Sequence, residues 1–140
     1  MATVSPSWNY TLRLPRDPRS PGVGRATIRA VLAAHGLSEL IPTAQLLATE
    51  LLTNAHLHTS QEYALRVFLV DGRLKVGVWD RDRRLPAGIE KELPVEDDAE
   101  RGRGLRLVRG CSEGWGVSAM VESGVYLGGK LLWVDCGAVG

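Results

Sequence analysis

The side chains best suited to chemistry fall in three places along the chain. Glu50 and Asn54 are spaced i, i+4, so on a helix their side chains meet on one face. They lie at the flank of an apolar stripe rather than opposite it, where a carboxylate and an amide cost desolvation free energy unless something polar meets them. That partner is either a ligand or the ordinary surroundings of a half-exposed rim, such as a neighbouring loop that one of them caps. Asp80 follows the alternating run Val76-Gly77-Val78-Trp79. An aspartate at a strand end ordinarily starts a turn by accepting backbone N–H groups. Gly102-Arg103-Gly104 precedes a helical pattern, and glycines there let backbone approach a phosphate, while the free N–H groups of a helix start favour anions. His56 and His58 are two apart, so on a helix they point about 200° from each other. That excludes the i, i+4 geometry of helical zinc sites.

The elements that must carry these groups can be read from periodicity. Ser7 to Leu14 alternates as Trp8, Tyr10, Leu12 and Leu14, predicting a first strand with one buried face. After a Pro-, Arg- and Gly-rich stretch from Pro15 to Gly24, a helix is predicted, with Ser20 as N-cap and Pro21 at the first helical position. Val23, Thr27, Ile28, Val31 and Leu32 keep helical spacing, and Gly36 is placed to end the helix. The second helix should run from about Pro42 to about Leu57, with Ala44, Leu47, Ala48, Leu51, Leu52 and Ala55 as its apolar stripe. Glu50 and Asn54 ride on it. Tyr63 to Leu69 and Leu74 to Asp80 read as paired strands around a tight Asp71-Gly72 turn. From Arg81 to Arg103 periodicity dissolves into a charged segment with Pro86 and Pro94, the length of a functional lid. A third helix is predicted from about Gly104 to near Gly114, then strands over Trp115 to Glu122 and Lys130 to Asp135. Trp79, Trp115 and Trp133 sit in strand patterns, as core or sheet-surface residues. The order β-α-α-β-β-loop-α-β-β predicts one α+β domain over 1–140, a mixed, mostly antiparallel sheet with helices on one face.

Composition narrows the function classes. The formal net charge is only +1, without the basic excess that marks a nucleic-acid binder. At 44% hydrophobic and 24% charged residues, the chain has the make-up of an ordinary globular domain. No apolar run approaches the roughly 20 residues needed to cross a bilayer. Met1 to Tyr10 lacks the basic start and apolar centre of a signal peptide, so a cytoplasmic location is expected. Cys111 and Cys136 match no metal or redox spacing and are read as buried reduced thiols.

Taken in order, the three groups are more specific than any one alone. Glu50-Leu-Leu-Thr-Asn54-Ala, then Val78-Trp-Asp80 with Leu85-Pro86 downstream, then Arg101-Gly102-Arg103-Gly104-Leu105-Arg-Leu107-Val108 resemble the N, G1 and G2 boxes of the GHKL ATPase and kinase superfamily. Within it, ELLTNAHLHT (residues 50–59) is similar to the helix of bacterial anti-sigma-factor serine kinases, whose pattern is E-L-x-x-N-A-x-x-H. The stretches RGRGLRLVRGCSEGWGV, ending at Val117, and GGKLLWV (residues 128–134) look like those of their actinobacterial relatives. The resemblance spans roughly Pro21 to Asp135.

The resemblance implies a two-layer α/β sandwich of the GHKL (Bergerat) type that binds ATP and Mg²⁺. Asn54 would ligate the Mg²⁺ through its amide oxygen. Glu50 would be the general base that takes the proton of an attacking serine hydroxyl or water. Asp80 would accept a hydrogen bond from the adenine amino group. Gly102, Arg103, Gly104 and Leu105 would close over the phosphates, beneath a lid of about 81–103. His58 matches the family's histidine position and is read as structural. The partners implied are a sigma factor and a STAS-domain anti-anti-sigma protein, with a homodimer possible, and neither nucleic acid nor membrane as a direct partner. In three places the chain departs from the family pattern, one of them the short, charged lid. The G1 box is usually D-x-G-x-G, but Arg81, Asp82, Arg83 and Arg84 follow Asp80 without a glycine. The last strand usually carries a threonine that helps to hold adenine, and here Leu131 follows Lys130. The loss of that hydrogen bond is worth about 1 kcal/mol. Two hypotheses follow: a serine/threonine kinase that also switches partners, or a binding module (an anti-sigma factor or adaptor) that keeps the fold without phosphotransfer.

Overall fold

Seven strands and two helices are found in the computed structural model, which describes residues 6–82 and 114–139. Strand β1 (Trp8–Leu14) leads into helix α1 (Ser20–Ala34), a 3₁₀ turn at Ser38–Leu40 and helix α2 (Ile41–His58). Strands β2 (Tyr63–Val70) and β3 (Arg73–Asp80) follow, then β4 (Trp115–Ser118), β5 (Val121–Glu122), β6 (Val125–Tyr126) and β7 (Lys130–Ala138). Five of the strands form one sheet in the order β1-β2-β3-β7-β4, and β5 and β6 pair separately as a small hairpin. Every pairing in the five-stranded sheet is antiparallel, so the mixed sheet expected from the sequence is corrected among the described residues. The architecture is α+β, compatible with a two-layer sandwich.

Alternation along the strands explains the layering. Leu65 and Val67 of β2, Leu74, Val76 and Val78 of β3, and Leu132, Val134 and Cys136 of β7 pack in one core with Ile28, Val31 and Leu32 of α1 and the apolar stripe of α2. Each step of one residue turns the next side chain to the opposite face. Ala64, Trp79 and Leu131 therefore project away from the helices, where Met120 and Leu127 pack with them in a second, smaller core. All six residues of the predicted α2 stripe are buried, and the three tryptophans sit in strands as expected.

Local chemistry accounts for most of the boundaries. Asp71 and Gly72 both take positive φ, 52° and 71°, and connect directly paired Val70 and Arg73, the backbone that a two-residue hairpin requires. At the end of α1, Gly36 has φ 71°. There the Leu37 N–H donates to Leu32 O at 2.8 Å and the Gly36 N–H to Ala33 O at 3.2 Å, the paired closure of a glycine-ended helix. The other end of α1 differs from expectation. Ser20 is the first helical residue and not the cap, and its hydroxyl donates to Pro15 O at 2.6 Å. Val23, expected in the stripe, is half exposed. Tyr10 of edge strand β1 is also exposed, its hydroxyl 2.8 Å from His35 Nε2.

The C-terminal strands differ most from the sequence reading. The strand expected over Trp115 to Glu122 is two elements. Only Trp115–Ser118 pairs with β7, and the chain then turns through Ser123 and Gly124, at φ 50° and 78°, to form the β5–β6 hairpin. A Ser-Gly pair is a turn signal that the alternation of the surrounding residues masks. Strand β7 runs on to Ala138, past the predicted end at Asp135, through a register shift opposite Leu74 and Lys75. The Asp135 carboxylate holds that irregularity, accepting from Gly137 N at 2.8 Å and from Arg73 Nε at 2.6 Å.

Cys136 sits beside this bulge, buried and unpaired. Burial first, and the nearby Asp135 charge second, push its thiol up to about 12 from an ordinary 9.0. The folded chain thus holds the thiol proton where the unfolded chain releases it. Stability from this group is intact below the unfolded value and lost as pH rises from there towards 12. Chemical denaturation of wild type and Cys136→Ala should show the wild type losing stability more steeply between about pH 8.5 and about pH 10.5. Parallel pH profiles would contradict this.

Candidate functional site

Asp80 ends the central strand of the five, β3, with hydrogen-bonded neighbours on both sides. It shares the helix-facing side with Val76 and Val78, because it lies an even number of residues beyond each of them. Directly opposite, in the β3–β7 register, is Lys130. The two side chains meet in a buried ion pair, Lys130 Nζ to Asp80 Oδ1 at 2.8 Å, with side-chain exposures of 7% and 12%. Lys130 Nζ also donates to Asp82 O at 2.5 Å, and the Asp82 N–H donates to Asp80 Oδ1 at 2.8 Å. Oδ1 therefore performs the ordinary task of a strand-end aspartate, closing the turn that follows. Among the described residues Oδ2 accepts no hydrogen bond.

Two glycines deliver Lys130 to this position. Gly128 and Gly129 have φ 78° and 66°, and a Cβ built on Gly129 would lie 2.0 Å from Asp80 O and 2.9 Å from Arg81 Cα. Only a residue without a side chain lets the two backbones approach so closely. The Trp79 indole N–H donates to Gly128 O at 2.7 Å, fastening the same turn to β3 from the other side of the sheet. Strand β7 thus enters the sheet with Lys130 already opposite Asp80.

Arg81 turns away from this arrangement. Being one residue past Asp80, it emerges on the outer face, where its guanidinium lies 5.3 Å from the centre of the Trp79 ring and its Nη2 3.5 Å from Glu62 Oε2. The hydrogen bond from Arg81 lowers the Glu62 carboxyl below its usual value. The first bulky residue of the glycine-less segment therefore does not crowd the helix-facing side that holds Asp80.

Glu50 and Asn54 are both half-buried on α2, and α2 packs against β2, β3 and β7. They lie at the margin of the helix face that covers the strands carrying Asp80 and Lys130. The C-terminal end of α2 is fixed by Arg16, whose Nε donates to Thr59 O at 2.6 Å and Nη2 to His56 O at 2.9 Å. A cation there satisfies last-turn carbonyls and opposes the helix dipole. His56 is the structural histidine of the pair, its Nδ1 2.9 Å from the hydroxyl of buried Tyr63. His58, expected to be structural, is exposed.

Gly102, Arg103, Gly104 and Leu105, the lid from residue 83 onward, the predicted third helix and Cys111 lie outside the described residues. Among the described residues no group of three or more His, Cys, Asp or Glu is arranged to hold a metal ion, and no helix is long and apolar enough to cross a membrane. The residue that sequence reasoning missed is Lys130. It was visible only as the neighbour of Leu131, and the available signal was a lone cation after Gly-Gly at the start of an apolar strand. No protein-family model matches the chain, and no curated protein matches it.

Removing one member of a buried ion pair strands the other charge and costs about 3–5 kcal/mol, whereas replacing both with apolar groups is often neutral. Lys130→Met should therefore destabilise the fold by roughly that amount, and the double variant Asp80→Leu/Lys130→Met should recover most of it. Urea unfolding of the three proteins checks this. Additive single-site losses would show that the two groups act independently.

Proposed function

We propose that the chain is a GHKL-type nucleotide-binding domain that acts as an ATP-dependent protein serine/threonine kinase. Its setting would be a cytoplasmic partner switch regulating transcription, with a sigma factor and a STAS-domain anti-anti-sigma protein as partners. The observation that carries the reading is Asp80, a buried carboxylate at the end of the central strand, on the helix-facing side, with Oδ2 accepting nothing among the described residues. The Asp80 side chain keeps 12% exposure, so Oδ2 is an open acceptor, and an amine on a nucleobase would supply its donor. The residues present fit that end of a nucleotide. The order of Glu50, Asn54, Asp80 and Gly102 to Leu105 along the chain supports the same reading, as does the α+β sheet with helices on one face.

Bound Mg-ATP would supply the transferable phosphoryl group, with Asn54 holding the cation through its amide oxygen. A lone amide suits Mg²⁺, which keeps most of its shell as water and phosphate oxygen. Glu50, half-buried on α2 one turn before Asn54, would take the proton of the serine hydroxyl. Phosphoryl transfer asks a protein mainly for positioning and charge neutralisation, and helix α2 carries both residues on one rigid element.

The reading without phosphotransfer, an anti-sigma factor or adaptor, is favoured by one observation. The ammonium of Lys130 occupies Asp80 Oδ1, so the carboxylate is already neutralised by the protein itself.

Titration with Mg-ATP should raise the melting temperature of the wild type, since saturation at roughly 100 times Kd adds about 2.7 kcal/mol. Asn54→Ala should remove the Mg²⁺-dependent part of that shift while the variant stays folded. Equal shifts in both proteins would exclude Asn54 as the metal ligand. Glu50→Gln keeps the shape but cannot accept a proton. Phosphotransfer to a STAS-domain substrate should fall by roughly 10²–10⁴-fold with nucleotide binding retained. A variant that binds ATP and phosphorylates at the wild-type rate would remove Glu50 from the base role.

A further inference from the structure

Lys130 has three N–H bonds to give, and among the described residues two are used, one to Asp80 Oδ1 and one to Asp82 O. Asp80 in turn keeps Oδ2 as an acceptor. An acceptor and a donor therefore stand side by side, one from β3 and one from β7, at the same rung of the ladder. Stability alone gives little reason for such a pair, because an apolar pair of similar volume at a buried site is commonly at least as stable. The pair is also held more firmly than an ion pair needs. Two positive-φ glycines, the Trp79 indole and the turn at Asp82 all fix it.

The geometry points to Lys130 as a base-reading residue. Asp80 Oδ2 accepts from the exocyclic amine of adenine, and the remaining N–H of Lys130 donates to the adjacent ring nitrogen N1. Adenine presents a donor and an acceptor next to each other on that edge, complementary to the acceptor and donor on β3 and β7. This deepens the nucleotide-binding reading and rests on it. It also changes the meaning of Leu131. A side chain at 131 faces the outer core and not the base, whereas Lys130 stands on the same face as Asp80. The side chain of Leu131 is then free to fill the outer core beside Trp79 and Met120.

The test is calorimetric titration of the full chain with ATP, with 1-deaza-ATP (amine kept, N1 acceptor removed) and with purine riboside triphosphate (amine removed, N1 kept). Wild type should bind 1-deaza-ATP roughly ten- to a hundredfold more weakly than ATP, the effect of stranding one charged donor. Lys130→Arg keeps a cationic donor and should retain the discrimination. Lys130→Met should bind ATP and 1-deaza-ATP alike, while still discriminating against purine riboside triphosphate through Asp80. If wild type binds ATP but does not distinguish 1-deaza-ATP, the inference falls and nucleotide binding stands, and that comparison needs no variant to fold. The inference also falls if Lys130→Met keeps the full 1-deaza penalty, or if it binds ATP more tightly than wild type, which would make Lys130 a plug. Failure of the wild type to bind any of the three nucleotides overturns the nucleotide reading and the inference together.

Discussion

Asp80 faces Lys130 because β3 and β7 are locked in one antiparallel register, and most of what is distinctive in this chain depends on that lock. At one end the Gly128-Gly129 turn presses against the Asp80 carbonyl, a contact that any Cβ would forbid. At the other end the irregularity at Gly137 is held by Asp135, itself paired with Arg73. A slip of one residue between the strands would send Lys130 to the outer face and leave Asp80 alone in the interior. The helical layer resists that slip as well, because Leu132, Val134 and Cys136 would leave the core they share with α1 and α2.

The same alternation separates groups that are neighbours in sequence. Asp80 and Arg81 are adjacent, yet one turns in towards the helices and the other out onto Trp79. Lys130 and Leu131 divide likewise, the lysine to the ion pair and the leucine to the second core. Lys75, which lies over the Trp133 ring at 4.3 Å, covers apolar sheet surface on the outer face with a charged side chain, as long cationic residues commonly do. The sheet thus keeps the Asp80–Lys130 pair on one face and its cation–aromatic packing on the other. Arg81, for this reason, leaves the helix-facing side to Asp80 and Lys130.

Energetically, the Asp80–Lys130 rung stands apart from the aliphatic core around it. The large core beneath α1 and α2 is aliphatic, with Leu47, Leu51, Leu52 and Ile28 nearly or fully buried, and such packing is the general source of stability in a domain of this size. An ion pair in the same layer must offset its own desolvation through mutual attraction and added hydrogen bonds. Here the added bonds are the Asp82 N–H and the Asp82 carbonyl. They tie strand end, turn and neighbouring strand into one unit, and that unit sets where the chain leaves the sheet after β3.

Much of the fold was legible in the sequence because it rests on short-range physics. The stripe of α2, the Asp71-Gly72 hairpin, the glycine ending α1 and the strands β2 and β3 all follow from periodicities and backbone preferences that neighbouring residues decide. Glu50 and Asn54 were placed on one helix by the same logic. What the sequence could not specify was set by contacts between distant segments. It did not reveal that Trp115 to Glu122 divides into an edge strand and a separate hairpin, because pairing partners decide where a strand ends. Nor did it reveal that Lys130 meets Asp80 across 50 residues of chain. A cross-strand pair depends on register, and register is a tertiary property: it is chosen by the whole buried face of the sheet at once, together with the one turn whose glycines let two backbones touch.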